Sequence, residues 1–216
     1  MDLKGKKVLF LGDSITAGAG ASSYDKSYVP VFAELSGAEA KNYGIGGTRI
    51  ARQVNIIGDN QYDRDFLMRV DEMDADADIV IVFGGTNDYG HGDAPMGNFE
   101  SRDVKTFYGA MHCLCLKLLN KYPNADILFM TPLHRENEDA FVSDAGISKL
   151  PLSKYVSAIK EVAEYYALPV LDLYSVSGIQ PKVDVIKELY MPDGLHPSDK
   201  GARRTAERLY GFLSAM

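Results

Sequence analysis

Three residues near the two ends of the chain have the types needed for nucleophilic catalysis. Ser14 follows an apolar run at residues 8–11, whereas Asp193 and His196 lie three residues apart in the segment MPDGLHPSDKG. A serine hydroxyl becomes a nucleophile when an imidazole accepts its proton, and a carboxylate beside the ring orients it and stabilises its charged form. The pattern therefore indicates a candidate nucleophile, a base and an orienting acid.

The same residues also have purely structural interpretations. A lone serine after a strand most often caps the following helix, and a loop histidine often bonds to a nearby acid. Pro197 favours extended backbone at His196 and is suited to the first position of a closing helix. His196 is then expected at a helix N-terminus, where the dipole favours the neutral ring that a general base requires. Spacing alone leaves both interpretations open.

Two further segments contain hydrogen-bond donors of the kind that bind the oxyanion formed during acyl transfer. The segment NYGIGG at 42–47 has closely spaced glycine N–H groups, and GGTND at 84–88 has the carboxamide of Asn87. Each such donor typically contributes about 2.7–4 kcal/mol to the stability of the transition state. Glycine and asparagine after a strand are also ordinary turn residues, so neither segment is decisive by itself.

These segments need a scaffold that brings distant parts of the chain together. Short β-rich runs alternate with helical patterns and stand at residues 7–11, 40–43, 79–83, 127–131 and 170–173. Helices are expected at 27–35, 152–166 and 198–213, with a long one after residue 100 whose apolar spacing runs from Val104 to Leu119. The alternation predicts an α/β fold with a mostly parallel five-stranded sheet covered on both faces. Because ligands bind beyond the carboxyl ends of such strands, we expect the candidate segments to meet there.

Composition narrows the function classes. The 216 residues are 46% hydrophobic and 25% charged, which fits a single globular domain over 1–216. A formal net charge of -7 disfavours a phosphate backbone or an anionic surface, so we expect neither nucleic acid nor membrane as a partner. The N-terminal apolar run is too short for a signal peptide, and none approaches the ~20 residues of a bilayer span. We therefore expect a cytoplasmic protein.

Four blocks taken together resemble the GDSL-type hydrolases, also called the SGNH family. They occur in the family's order across nearly the whole chain, as GDSIT at 12–16, NYGIGG at 42–47, GGTND at 84–88 and DGLHP at 193–197. The resemblance implies a flavodoxin-like, three-layer α/β/α fold and ester hydrolysis without a cofactor. The first block departs from the name-giving motif because it has isoleucine where that motif has leucine, which is a conservative change.

The resemblance also implies a role for each matched residue. Ser14 is the implied nucleophile, His196 the general base and Asp193 the residue that orients the base. The implied oxyanion donors are the N–H of Ser14, the N–H of Gly47 and the side chain of Asn87. Because residue 46 is also glycine, the choice of backbone donor in the second block stays open by one position.

Other patterns are weaker. His91 and His134 follow strand ends and are candidate substrate contacts, although surface-loop positions are the commoner explanation for such residues. Residues 133–150 form a polar connection longer than the usual ~4–6 residues, and long loops at a binding edge often influence substrate choice. The aspartates at 74, 76 and 78 lack the glycine and glutamate of a calcium loop, so no metal is expected.

The leading hypothesis is a serine esterase, an acylhydrolase that cleaves carboxylic esters through an acyl-enzyme. We expect a small-molecule ester substrate, with a short acyl group such as acetyl on a carbohydrate or another polar carrier. The alternatives are a lysophospholipase or thioesterase with the same residues, and a non-catalytic flavodoxin-like module that binds a phosphate or nucleotide. The sequence does not indicate an oligomeric state.

Overall fold

A five-stranded sheet forms the centre of the protein in the computed structural model, which describes residues 1–56, 58, 62–142 and 147–216. The strands are Lys7–Gly12 (β1), Glu39–Gly44 (β2), Ile79–Phe83 (β3), Asp126–Met130 (β4) and Val170–Leu171 (β5). They pair in parallel in the order β2-β1-β3-β4-β5, which is the order of flavodoxin-like sheets. The predicted α/β fold is therefore confirmed.

Helices cover both faces of this sheet. Their bounds are Ser14–Ala17 (α1), Tyr28–Ser36 (α2), Phe66–Val70 (α3), Thr86–His91 (α4), Phe107–Lys121 (α5), Leu152–Tyr165 (α6), Leu173–Val176 (α7), Asp184–Tyr190 (α8) and Asp199–Ala215 (α9). On one face α5 packs against α3 and α6, and on the other α2 packs against α9. The chain thus forms three layers, as expected.

The central strands are apolar throughout because both of their faces are buried. In β1, Leu9 and Leu11 belong to the apolar cluster beneath α3, α5 and α6, whereas Val8 and Phe10 belong to the cluster beneath α2 and α9. Strand β3 alternates in the same way, and all five of its residues are buried. Strands β1 and β3 are therefore packed on both faces, and this packing fixes the position of the segments that follow them.

Two predicted boundaries are corrected by capping residues. The long helix starts at Phe107 rather than near Val104, because the side chain of Thr106 accepts a hydrogen bond from the N–H of Gly109 and caps it. Strand β5 ends at Leu171, because Asp172 caps α7 in the same way.

In the described part of the chain, every helix is too short or too polar to cross a bilayer.

Candidate active site

The first candidate residue lies directly after β1, at the start of α1. Asp13 is the N-cap of that helix and accepts a hydrogen bond from the N–H of Ile15 at 3.0 Å. Ser14 is the first helical residue and is half-buried. The interpretation of Ser14 as the helix cap is therefore wrong, because the neighbouring aspartate performs that task and leaves the serine hydroxyl available.

The hydroxyl of Ser14 contacts the imidazole of His196. Its Oγ lies 3.0 Å from Nε2 of the ring, and the other ring nitrogen, Nδ1, lies 2.7 Å from Oδ2 of Asp193. An ionised carboxylate can only accept, so the ring proton resides on Nδ1 and Nε2 is the acceptor for the serine hydroxyl. The structure therefore brings Ser14, His196 and Asp193 into one hydrogen-bonded chain.

Asp193 is fixed by its own turn as well as by the ring. Its Oδ1 accepts the backbone N–H groups of Leu195 at 2.8 Å and His196 at 2.7 Å. Partial burial opposes ionisation, but the hydrogen bonds from the backbone and ring of His196 outweigh it and lower the pKa of the carboxyl. The Asp193 side chain is 54% exposed, so solvent screens much of its charge.

The closing helix α9 starts at Asp199, slightly later than the start at Pro197 or Ser198 that the sequence predicts. The hydroxyl of Ser198 caps it by accepting the N–H of Gly201. Serine is a better N-cap than histidine, which explains the shift. His196 therefore lies in the turn made by Asp193, outside the first turn of α9, and its position is set by that turn.

The loop after α1 packs closely against His196. Gly20 has a φ of +89°, and a Cβ atom there would lie 2.7 Å from the Cβ of His196 and 2.6 Å from the carbonyl oxygen of Pro197. Two residues on, Ser22 donates its N–H and its hydroxyl to Asp199, each at 2.7 Å. The role of Gly20 could not be predicted from the sequence, because it depends on a contact with residues near position 196.

The glycine-rich segment after β2 lies against Ser14. A Cβ atom on Gly46 would be 3.7 Å from the Cβ of Ser14, whereas Gly47 has a φ of +77° and a Cβ there would overlap the ring of Tyr62. In the described part of the chain, the N–H groups of Ser14, Gly46 and Gly47 donate to no protein acceptor. N–H groups without an acceptor are of the kind that an oxyanion beside Ser14 would need, which makes them candidate donors.

Asn87 follows β3 as the second residue of α4 and is 5% exposed. Its Nδ2 donates to the carbonyl oxygen of Thr48 at 3.1 Å, which joins α4 to the glycine-rich segment. The carboxamide NH₂ has two protons, and this bond uses one of them. The next residue, Asp88, accepts the N–H groups of Ile50 and Ala51 at 3.0 and 2.8 Å, and its burial raises its pKa to about 6.

A buried arginine that sequence analysis missed ties these segments to the sheet. Arg69 is 2% exposed, and its Nη1 donates to the carbonyl of Gly12 at 2.9 Å and to the hydroxyl of Thr48 at 2.7 Å. Its Nη2 donates to the carbonyl of Tyr43. Burial lowers the pKa of Arg69 to about 10. The only sequence signal was an arginine within the apolar stretch 66–70.

The two weaker histidine candidates have different surroundings. Nε2 of His91 lies 3.2 Å from Oδ1 of Asn87, so this histidine adjoins the candidate oxyanion site. His134 donates through Nδ1 to Glu138 at 2.8 Å and stacks on Tyr174. The contact of either histidine with a substrate stays a prediction. Of the 133–150 connection, residues 143–146 lie outside the described residues.

An open cavity of about 390 Å³ lies beside His91. The residues that line it are Arg49, Gln53, Asn55, Tyr62, Asp63, His91, Asp93 and Ile147. Several lining residues carry hydrogen-bonding groups, most of the surface that the cavity exposes is apolar, and Ile147 belongs to the 133–150 connection. Because His91 contacts Asn87, the cavity adjoins the candidate oxyanion site and is a candidate substrate pocket.

Known proteins resemble this chain in sequence and in fold. The GDSL-like Lipase/Acylhydrolase family model matches residues 10–204. A protein from Lactobacillus plantarum is 32% identical over 98% of this chain and 98% of its own, with a TM-score of 0.83. The lipase/acylhydrolase from Enterococcus faecalis is 19% identical, with 97% and 96% of the chains covered and a TM-score of 0.65. An acetyl xylan esterase is 19% identical, with 96% and 99% covered and a TM-score of 0.63. The comparison with curated proteins returned no match.

Proposed function

Because the chain belongs to the GDSL-like lipase/acylhydrolase family, a family of ester hydrolases, we propose that it is a serine esterase that acts through an acyl-enzyme. The single observation that carries the proposal is the 3.0 Å contact between the hydroxyl of Ser14 and Nε2 of His196, with Asp193 on the opposite ring nitrogen. The contact supplies what an alcohol lacks as a nucleophile, namely a base placed to take its proton.

In the first half of the reaction, Ser14 is acylated. Its Oγ attacks the ester carbonyl carbon as the hydroxyl proton moves to Nε2 of His196, and the carbonyl oxygen becomes an oxyanion. The N–H of Ser14, the N–H of Gly47 and the free Nδ2–H of Asn87 are the proposed donors to that oxyanion. When the carbon–oxygen bond to the alcohol breaks, His196 returns the proton to the departing oxygen.

In the second half, water removes the acyl group. His196 accepts a proton from the water as its oxygen attacks the acyl carbon, and the same donors bind the second oxyanion. The bond from the carbon to Oγ then breaks, and His196 gives its proton back to Ser14. Asp193 orients the ring through both halves and stabilises its positive charge.

We also propose a short acyl group, such as acetyl, on a carbohydrate or another polar carrier. The side chains around the cavity beside His91 include amide, carboxylate, guanidinium and phenol groups that can hydrogen-bond a hydroxyl-rich carrier, while most of the surface that the cavity exposes is apolar. The structural neighbour that is an acetyl xylan esterase supports the same class, although fold and site alone do not select a substrate.

A fluorophosphonate probe tests the mechanism. We expect the purified protein to be labelled once per chain and to hydrolyse p-nitrophenyl acetate, whereas the Ser14→Ala variant does neither. Labelling that persists in Ser14→Ala would place the nucleophile elsewhere.

A substrate panel tests the acyl group and the carrier. Esters of increasing acyl length and acetylated sugars are compared, with Ser14→Ala as the blank. We expect kcat/KM to fall as the acyl chain lengthens and to rise with a sugar carrier. A preference for long acyl chains or for thioesters would favour the lysophospholipase or thioesterase alternative.

A further inference from the structure

The carboxamide of Asn87 is held on both of its sides. The carbonyl oxygen of Thr48 can only accept, so the Asn87 atom 3.1 Å from it must be Nδ2. The opposite atom, Oδ1, lies 3.2 Å from Nε2 of His91, one helical turn along α4. With both contacts in place the amide has one orientation, and its second Nδ2–H is left for a ligand.

The contact from His91 holds Asn87 only if the ring carries its proton on Nε2. Nη1 of Arg49 lies 2.8 Å from Nδ1 of His91, and a guanidinium nitrogen can donate but cannot accept. Nδ1 must therefore be the unprotonated nitrogen. A neutral ring then has its proton on Nε2, where it donates to Oδ1 of Asn87.

Arg49 is itself held in place. It is 6% exposed, and its Nη2 donates to the carbonyl oxygen of Tyr62 at 2.6 Å. Burial lowers the pKa of Arg49, partly offset by Asp88, Asp93 and Asp63. The side chain that selects the His91 tautomer is therefore a buried group with a defined geometry, whereas His91 lies at the exposed edge of the cavity.

We propose that Arg49 and His91 form a positioning relay, which keeps the free Nδ2–H of Asn87 directed at the oxyanion of the reacting ester. The relay rests on the proposed esterase function and goes beyond it, since neither residue touches the reacting atoms. Without the donor at Oδ1, only the bond to the carbonyl of Thr48 holds the amide, and its free Nδ2–H is directed less firmly at the oxyanion. A less firmly directed donor stabilises the transition state less but has little effect on binding of the neutral ester.

The first test is a pair of substitutions at His91. We expect His91→Ala to lower kcat for p-nitrophenyl acetate by on the order of 10-fold with KM nearly unchanged, which is less than the 10²–10³-fold typical for loss of a whole oxyanion donor. His91→Gln restores an amide N–H that can reach Oδ1 and should recover most of kcat. Arg208→Ala, which removes an exposed residue of α9, is the control and should match the wild type.

The second test is a double-mutant cycle, which separates a relay from a general structural effect. If His91 acts through Asn87, then His91→Ala should have no further effect on kcat in an Asn87→Ala background. The relay is refuted by an unchanged kcat in His91→Ala, by a full effect of His91→Ala in the Asn87→Ala protein, or by a loss expressed only in KM. In each of these cases the wild type still hydrolyses the ester and reacts with the fluorophosphonate, so the esterase proposal survives. An inactive, unlabelled wild type overturns both proposals together.

Discussion

At the scale of single residues, the neighbours Asp13 and Ser14 make different contacts: Asp13 caps α1, and Ser14 contacts His196. Asp13 caps α1, is 2% exposed and has its pKa raised to about 6 by burial, whereas the side chain of Ser14 turns towards His196. A helix that starts with its own cap does not need the serine hydroxyl for stability. The hydroxyl can therefore be removed without loosening the turn that carries it.

This division leads to the first prediction. Ser14→Ala should lower kcat by at least on the order of 10³-fold, because the proposed nucleophile and base would act as one unit. The free energy of unfolding should stay within about 0.5 kcal/mol of the wild type, since the cap of α1 is intact. Steady-state kinetics and urea denaturation measure the two quantities. A variant that is both inactive and strongly destabilised would show that the hydroxyl has a structural role.

The second prediction concerns Asn87. Asn87→Ala should lower kcat by about 10²–10³-fold and change KM little, because an oxyanion contact forms mainly in the transition state. Measurement of both constants on one ester separates this role from ground-state binding. An effect confined to KM would contradict the proposed donor and point to a substrate contact.

At the scale of elements, the positions of the main strands were predictable because buried parallel strands are continuous apolar runs. The short helices α3, α4, α7 and α8 were not, since four to seven residues contain too little of a 3.6-residue period to recognise. The role of Arg69 could not be predicted from the sequence for a different reason. Its contact with the Gly12 carbonyl joins residues 57 positions apart, and no local pattern encodes it.

Some residues of the candidate site were likewise predictable from the sequence, and one was not. Ser14, His196, Asp193 and Asn87 stand in recognisable sequence blocks, so all four could be singled out as candidates. The structure brings Ser14, His196 and Asp193 into contact and joins Asn87 to the glycine-rich segment. The loop glycine beneath His196 belongs to no such block. Its importance lies in a packing contact between two loops, which only the folded chain shows.

The third prediction tests that loop. Gly20→Ala should lower kcat by on the order of 10-fold or more and destabilise the protein by about 1–3 kcal/mol, because a Cβ at a φ of +89° strains the backbone and displaces His196. Gly211→Ala is the matched control. It lies exposed within α9 with nothing near its Cβ position, so it should stabilise by about 0.5–1 kcal/mol and leave kcat unchanged. Wild-type kinetics in Gly20→Ala would show that the loop does not position His196.

At the scale of the whole molecule, a buried carboxylate links two distant segments. Glu138 accepts from His134 at 2.8 Å and pairs with Lys182 at 2.9 Å, and its side chain is 3% exposed. Burial opposes its ionisation, but the hydrogen bonds from His134 and Lys182 outweigh that effect and lower its pKa to about 2. The ionised carboxylate therefore joins the segment after β4 to the segment before α8.

The fourth prediction follows from the sign of this shift. The pKa of Glu138 is lower in the folded than in the unfolded chain, so its contribution, roughly 3 kcal/mol, is fully present above about pH 4.5 and is lost as the pH falls towards 2. Glu138→Gln should therefore destabilise the protein at about pH 7, and its difference from the wild type should shrink at about pH 3.5. Urea denaturation at both values measures this.

The control for that experiment is Glu136→Gln in the same segment. Glu136 is 54% exposed and pairs with Lys187, so its replacement should change the free energy of unfolding by less than about 1 kcal/mol at about pH 7. A Glu138→Gln difference that stays constant from about pH 7 to about pH 3.5 would contradict the assignment of the low pKa to this carboxyl.

The hydroxyl of Ser14 and the imidazole of His196 are 182 positions apart along the chain. After dilution from denaturant, or as the chain leaves the ribosome, the proposed nucleophile is present early, and it gains the proposed base only when the segment around His196 folds against the sheet. Recovery of ester hydrolysis should therefore report the last step of refolding. It should lag the return of helical circular dichroism and coincide with the final protection of amide protons.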